Sequence, residues 1–121
     1  MLQHELIDDE SILVIAPHAA LTSEDFKALA AEIDPVIERS GKLRGIMIEA
    51  QAFPGWDNFS ALTDHLRFVR DHHRLIRRLA LVSDSPVLAF LPRFASHFVS
   101  AEVKHFAWAE RASALDWLRE A

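Results

Sequence analysis

The segment from Leu43 to Ala50 is apolar apart from its ends and Glu49, and this feature restricts the fold more than any other. An alternating strand can leave one face in water. A continuously apolar strand must be covered on both faces, which points to helices packed against a largely parallel sheet. Further strands are expected over Leu75 to Val82 and within Ser11 to Pro17, where Ile12, Leu13, Val14 and Ile15 are contiguous. Leu2 to Ile7, joined to the latter through Asp8, Asp9 and Glu10, completes an opening hairpin.

Helices are expected between these strands. Thr22 with Asp25 three residues on is a capping signature, and the helix it opens presents Phe26, Leu29, Ala30, Ile33 and Ile37 on one face before Gly41 closes it. Pro35 removes a backbone donor and is expected to kink or shorten that helix. Asp57 is expected to cap a second helix running to about His73, with Phe59, Leu62, Leu66 and Val69 inward and Phe68 pointing the other way. Ser85 and Pro86 signal a third, over Val87 to Val99, in which Val87, Leu91, Phe94 and Phe98 form one stripe, Leu88 and Phe90 fall to either side, and Pro92 bends or splits the segment. A strand over Glu102 to Phe106 and a helix over Glu110 to Leu118, contributing Ala114, Leu115, Trp117 and Leu118, follow. The order ββαβαβαβα describes one α/β domain, residues 1–121, with a mixed, mostly parallel sheet covered by helices.

Several chemistries find no support. With no cysteine, disulfides, thiolate metal sites and cysteine nucleophiles are excluded. Eighteen acidic residues against thirteen basic ones leave a net charge of −5, which argues against nucleic acid as the main partner. The seven histidines include no His-x-x-x-His pair, so no metal or cofactor site is expected. There is no Gly-x-Ser-x-Gly elbow and no glycine-rich phosphate loop, so catalysis is not expected. Neither a signal peptide nor an apolar run near the roughly 18 residues that span a bilayer is seen, and the expected location is cytoplasmic.

The element order, the aromatic turn Phe53, Pro54, Gly55, Trp56, the late strand Ala101 to Phe106 and the closing Ala114, Trp117, Leu118 pattern together resemble the SpoIIAA-like proteins, a bacterial branch of the STAS (sulfate transporter and anti-sigma antagonist) fold. Related STAS domains act as phosphorylation-gated partners through Asp-Ser-Ser-Gly at the start of the second helix. Here that stretch is Asp57, Asn58, Phe59, Ser60, so the acidic cap is kept while the phosphorylatable pair is replaced and Ser60 stands one position late. The resemblance extends in topology to Sec14-type lipid-binding domains and implies a binder of apolar or amphipathic small molecules.

Two groups of residues carry that expectation. Trp56, Phe59, Phe90, Phe94 and Phe98 are expected to line an apolar pocket between the second and third helices, with the amides near Asp57 and Asn58 meeting a ligand anion. The alternative is that Phe59, Phe94 and Phe98 are core. Phe68, off the main stripe, is expected on an outer surface that meets a membrane, a protein partner or a second copy of the chain. The basic run that includes Arg70, Arg74 and Arg77 suits an anionic membrane surface, giving peripheral contact with the inner membrane, or an anionic ligand, or is simply a solvated helix end. A protein-interaction module without the phosphoserine switch is the alternative to ligand binding.

Overall fold

A computed structural model describes residues 2–121. Five strands, β1 (Leu2–Ile7), β2 (Ile12–Pro17), β3 (Leu43–Glu49), β4 (Ile76–Val82) and β5 (Glu102–Phe106), alternate with four helices, α1 (Ser23–Ser40), α2 (Phe59–His72), α3 (Pro86–Ala95) and α4 (Arg111–Arg119). Strand order in the sheet follows chain order. β1 and β2 are antiparallel and every later pair is parallel, so the expected α/β architecture is the one found.

Because each parallel crossover steps the same way and such crossovers are right-handed, α1, α2 and α3 share one face of the sheet. There Leu13, Ile15, Leu43, Ile46 and Ile76 pack with Phe26, Leu29, Ile33 and Val36 of α1. The opposite face, built on Ile12, Val14, Met47, Ala80 and Val82, is covered by α4 through Ala114, Leu115 and Leu118. That helix lies close. A Cβ on Gly45 of β3 would stand 2.6 Å from Leu118 Cδ2 and 3.3 Å from the Arg78 carbonyl oxygen.

The start of α1 is fixed as the sequence suggests. Thr22 Oγ1 accepts from the Asp25 N–H at 3.2 Å while Asp25 Oδ2 accepts from the Thr22 N–H at 2.9 Å. Asp25, itself buried, also accepts from the Leu2 N–H at 3.2 Å and so ties the helix to β1. The helix runs through Pro35 to Ser40 rather than ending early. Pro35 and Ala31, whose carbonyl loses its partner, are both exposed, so water can satisfy that oxygen. Pro92 is likewise accommodated inside α3, which ends at Ala95 instead of Val99.

The β1–β2 turn is unusual. Asp8, Asp9 and Glu10 take φ values of 52°, 57° and 62° in succession, a left-handed run that asparagine and aspartate tolerate better than most residues. Arg119 of α4 fastens it by donating to Asp8 at 2.6 Å, and this hydrogen bond, with the positive charge behind it, holds the Asp8 carboxyl below the usual carboxylate range.

Candidate functional site

Helix α2 turns a different face inward from the one its apolar residues suggest. Ala61 and His72 are buried, while Phe59 is 80% exposed and Leu66 also faces outward. The inner line is Ala61, His65, Phe68 and His72, spaced at helical intervals, with two histidines in places where aliphatic residues would have been easy to recognise. Phe68, expected on an outer surface, therefore packs against the main core, its ring 6.2 Å from Phe26 and 4.2 Å from His72.

A run of rings fixes α2 to the loop before it and to α1. Phe53 meets Trp56 edge-on at 5.5 Å, Trp56 Nε1–H donates to His65 Nδ1 at 3.0 Å, and His65 stacks on Phe26 at 4.8 Å. Further along, His72 lies 2.8 Å from the Phe68 carbonyl through Nδ1 and 2.7 Å from Asp34 Oδ1 through Nε2. Burial pushes the His65 pKa down. The unfolded chain then binds the extra proton more readily, so this residue's contribution to stability is present above the ordinary histidine pKa of about 6.5 and is lost progressively below it, as pH falls through the lowered value of the folded state. Protonation also removes the lone pair that accepts from Trp56. Urea unfolding at pH 7.5 and pH 5 is expected to give a loss on acidification that is smaller in the His65→Gln variant.

The loop at residues 53–58 is held by its backbone. The Leu21 N–H donates to the Gly55 carbonyl at 2.9 Å and the Asp57 N–H to the Leu21 carbonyl at 2.7 Å. Leu21 and Trp56 thereby form a short bridge that uses the Asp57 amide, and Asn58 caps α2 in place of Asp57, accepting from the Ala61 N–H at 2.9 Å. Of the amides near Asp57 and Asn58 expected to receive a ligand anion, that of Asp57 is therefore taken by the Leu21 carbonyl. The Asn58 side chain takes one amide of the helix's first turn, that of Ala61.

Between α2 and α3, over the sheet, lies an apolar cleft of about 330 Å³. Ile46, Ile48, Leu79, Leu81 and Val103 form its floor, His65, Phe68, Val69 and His72 one wall, and Leu88, Leu91, Ala95 and Val99 the other. Of the expected pocket residues, Trp56, Asp57, Asn58, Phe59, Phe90, Phe94 and Phe98 do not line it. Trp56 supports it from behind through His65, and Asp57 and Asn58 are exposed on the loop. On the α3 side the inner line keeps Leu91 of the expected Val87, Leu91, Phe94, Phe98 stripe but has Leu88, Ala95 and Val99 in place of the others, leaving Phe90 and Phe94 outside, with Phe98 beyond them at 79% exposed.

The basic run does not form one patch. Arg67 and Arg70 sit on the exposed side of α2, paired with Asp64 at 3.0 Å and Asp71 at 2.9 Å, while Arg74 is exposed in the turn that follows. Strand alternation then sends Arg77 and Arg78 to opposite faces of β4, where Arg78 donates to the Trp117 carbonyl at 2.6 Å under α4. No helix among the described residues is long and apolar enough to cross a membrane.

A family model described as SpoIIAA-like matches residues 12–119. The fold is also that of an uncharacterized protein from the DUF3478 family with a SpoIIAA-like fold from Shewanella loihica PV-4, known from a crystal structure. That likeness has a TM-score of 0.67 at 22% identity and covers 98% of this chain and 92% of that one. No curated protein matches this chain.

Proposed function

This chain belongs to the SpoIIAA-like family, and from that premise we propose that it is a non-catalytic binding domain for an apolar or amphipathic small molecule held in the cleft between α2 and α3. The observation that supports this reading most directly is the cleft itself. Its volume of about 330 Å³ is walled almost wholly by aliphatic and aromatic side chains. Closed cores do not leave such space, since packing to crystal-like density is worth several kcal/mol, and apolar hollows of this size are ordinary ligand sites.

The three histidines at the cleft bear on what the ligand is. His65 and His73 each spend Nδ1 as an acceptor, from Trp56 Nε1–H and from the Ser100 N–H at 2.9 Å. Their Nε2 atoms then carry the proton and can donate, which favours an apolar body with at least one acceptor atom over a plain hydrocarbon.

Filling the hollow tests this. Val103→Trp and Ala95→Trp place an indole where the ligand would lie, and each is expected to weaken uptake of a fluorescent fatty-acid probe at least about tenfold while leaving the melting temperature near that of the native chain. Probe binding that is unchanged in both variants, with both folded, would remove the cleft from the function.

The exposed rings Phe59, Phe90, Phe94 and Phe98 favour a second use of the same side of the molecule, as a docking face for an anionic membrane or a protein partner. Arg70→Glu with Arg74→Glu should then reduce sedimentation with anionic vesicles while probe uptake in the cleft continues.

A further inference from the structure

A second hollow, of about 210 Å³, opens where the strands begin, between the β1–β2 turn and the end of α1. Its charges are arranged at a cost. The pairs Leu43 with Ile76 and Gly45 with Arg78 bracket Arg44 and Arg77, so these two arginines stand side by side on neighbouring parallel strands and point to the same face. Like charges in adjacent cross-strand positions are destabilising. Neither arginine has a carboxylate within ion-pairing distance among the described residues, and neither does Lys42, which lines the same hollow. Arg78, one residue along, shows the contrast, since Glu102 lies 3.4 Å and Glu120 3.7 Å from its guanidinium.

We propose that this hollow is an oxyanion site for a phosphate group, gripped by the paired guanidinium groups of Arg44 and Arg77 with Lys42 as a third cation. Two guanidinium forks side by side offer the planar, multidentate donors that phosphate prefers, and a bound dianion converts their mutual repulsion into attraction. Ser40 lines the hollow and adds a hydroxyl. Asp9 and Glu10 stand in the lining as well. Glu10 is drawn to Arg39 at 3.4 Å, but Asp9 has no such partner among the described residues and opposes an anion. A modest affinity follows, with a dissociation constant on the order of 1 mM for inorganic phosphate.

The site stands independently of the apolar cleft, though it adjoins it. Ile46 and Leu79, on the cleft floor, lie two residues beyond Arg44 and Arg77 on the same face, about 7 Å along each strand. The phosphate could therefore be free or could be the head of an amphiphile.

An NMR and calorimetric titration at fixed ionic strength separates these, with inorganic phosphate in one arm and a hexanoyl lysophosphatidate below its micelle concentration in the other. Saturable phosphate binding is expected, weakened at least about tenfold by Arg44→Gln or Arg77→Gln. Asp9→Asn is expected to tighten it severalfold, since it removes the opposing charge and asparagine accepts the left-handed backbone. Without phosphate, both glutamine variants should melt about 2 °C above the native chain, because the like-charge contact is gone, and this also establishes that they fold. A lysophosphatidate that binds more than about tenfold tighter than phosphate, with the gain lost in Val103→Trp, identifies a lipid head. Equal affinities identify a free phosphate. Absence of saturable phosphate binding up to about 20 mM, or binding indifferent to both arginine changes, overturns the site. Lysophosphatidate that binds the arginine-free double variant undiminished also overturns it, while leaving the apolar cleft intact.

Discussion

Gly45→Val is expected to lower the stability of the fold by about 3 kcal/mol, seen as a fall in melting temperature of about 10 °C. The reason is the approach of α4 to β3. The first carbon added at Gly45 already meets Leu118 Cδ2 at 2.6 Å, with Leu118 Cβ and the Arg78 carbonyl oxygen both at 3.3 Å. Leu118 is fully buried, so its side chain has nowhere to retreat, and the branched carbons of valine press on backbone as well. Gly45→Ala should cost about half as much, because it adds only the Cβ and none of the branched carbons that press on the backbone. A double-mutant cycle gives the decisive measurement. Leu118→Ala alone opens a cavity at about 3 kcal/mol, but combined with Gly45→Val the two losses should fall short of their sum by at least about 1 kcal/mol. Strict additivity would mean that Gly45 is required for some reason other than this contact.

Asp25→Ala is expected to cost about 2–3 kcal/mol. One carboxylate here serves two elements. Oδ2 completes the capping box by accepting from Thr22, and Oδ1 accepts from the Leu2 N–H at the start of β1. Alanine leaves both donors without a partner near the core. Asp25→Asn keeps one acceptor oxygen and should lose about half as much. Exchange of the Leu2 and Thr22 amide protons, followed by NMR, is expected to accelerate together in Asp25→Ala. Acceleration at Thr22 alone would show that β1 is held by its ladder to β2 without this helix.

Much of the fold was legible because its strands are written in continuous apolar runs and its first helix carries an explicit start signal. The placement of Ile12–Pro17, Leu43–Glu49 and Ile76–Val82 follows directly from such runs. The rotation of the helices was less legible. In α2 the inward line alternates aliphatic and aromatic residues with His65 and His72, which hydropathy counts as polar although their rings stack and their nitrogens are paired within the fold. The interval Ala61, His65, Phe68, His72 was the available signal. In α3 apolar residues occur on every side, so periodicity cannot choose a face, and tertiary contact with β5 settles it by turning Leu88 and Ala95 inward.

The candidate sites differ in the same way. The cleft is made of residues that read as ordinary core, and only the spacing of α2 from α3 distinguishes them from it. The expected pocket rings, being more conspicuous, lie outside. The pairing of Arg44 with Arg77 could not be read from the chain at all, because 32 positions separate them and only strand register brings them together.

The sheet's strand order has a consequence for synthesis. As the chain leaves the ribosome, each new strand finds its neighbour already in place, and the hairpin can grow outward one crossover at a time. The three-helix side is covered as it forms. The other side, carrying Ile12, Val14, Met47, Ala80 and Val82, must wait until Leu118 has been made and has cleared the exit tunnel. Throughout elongation the nascent domain thus presents a bare apolar plane, whose covering depends on a helix made after all five strands, and that plane is where a ribosome-associated chaperone would be expected to hold it.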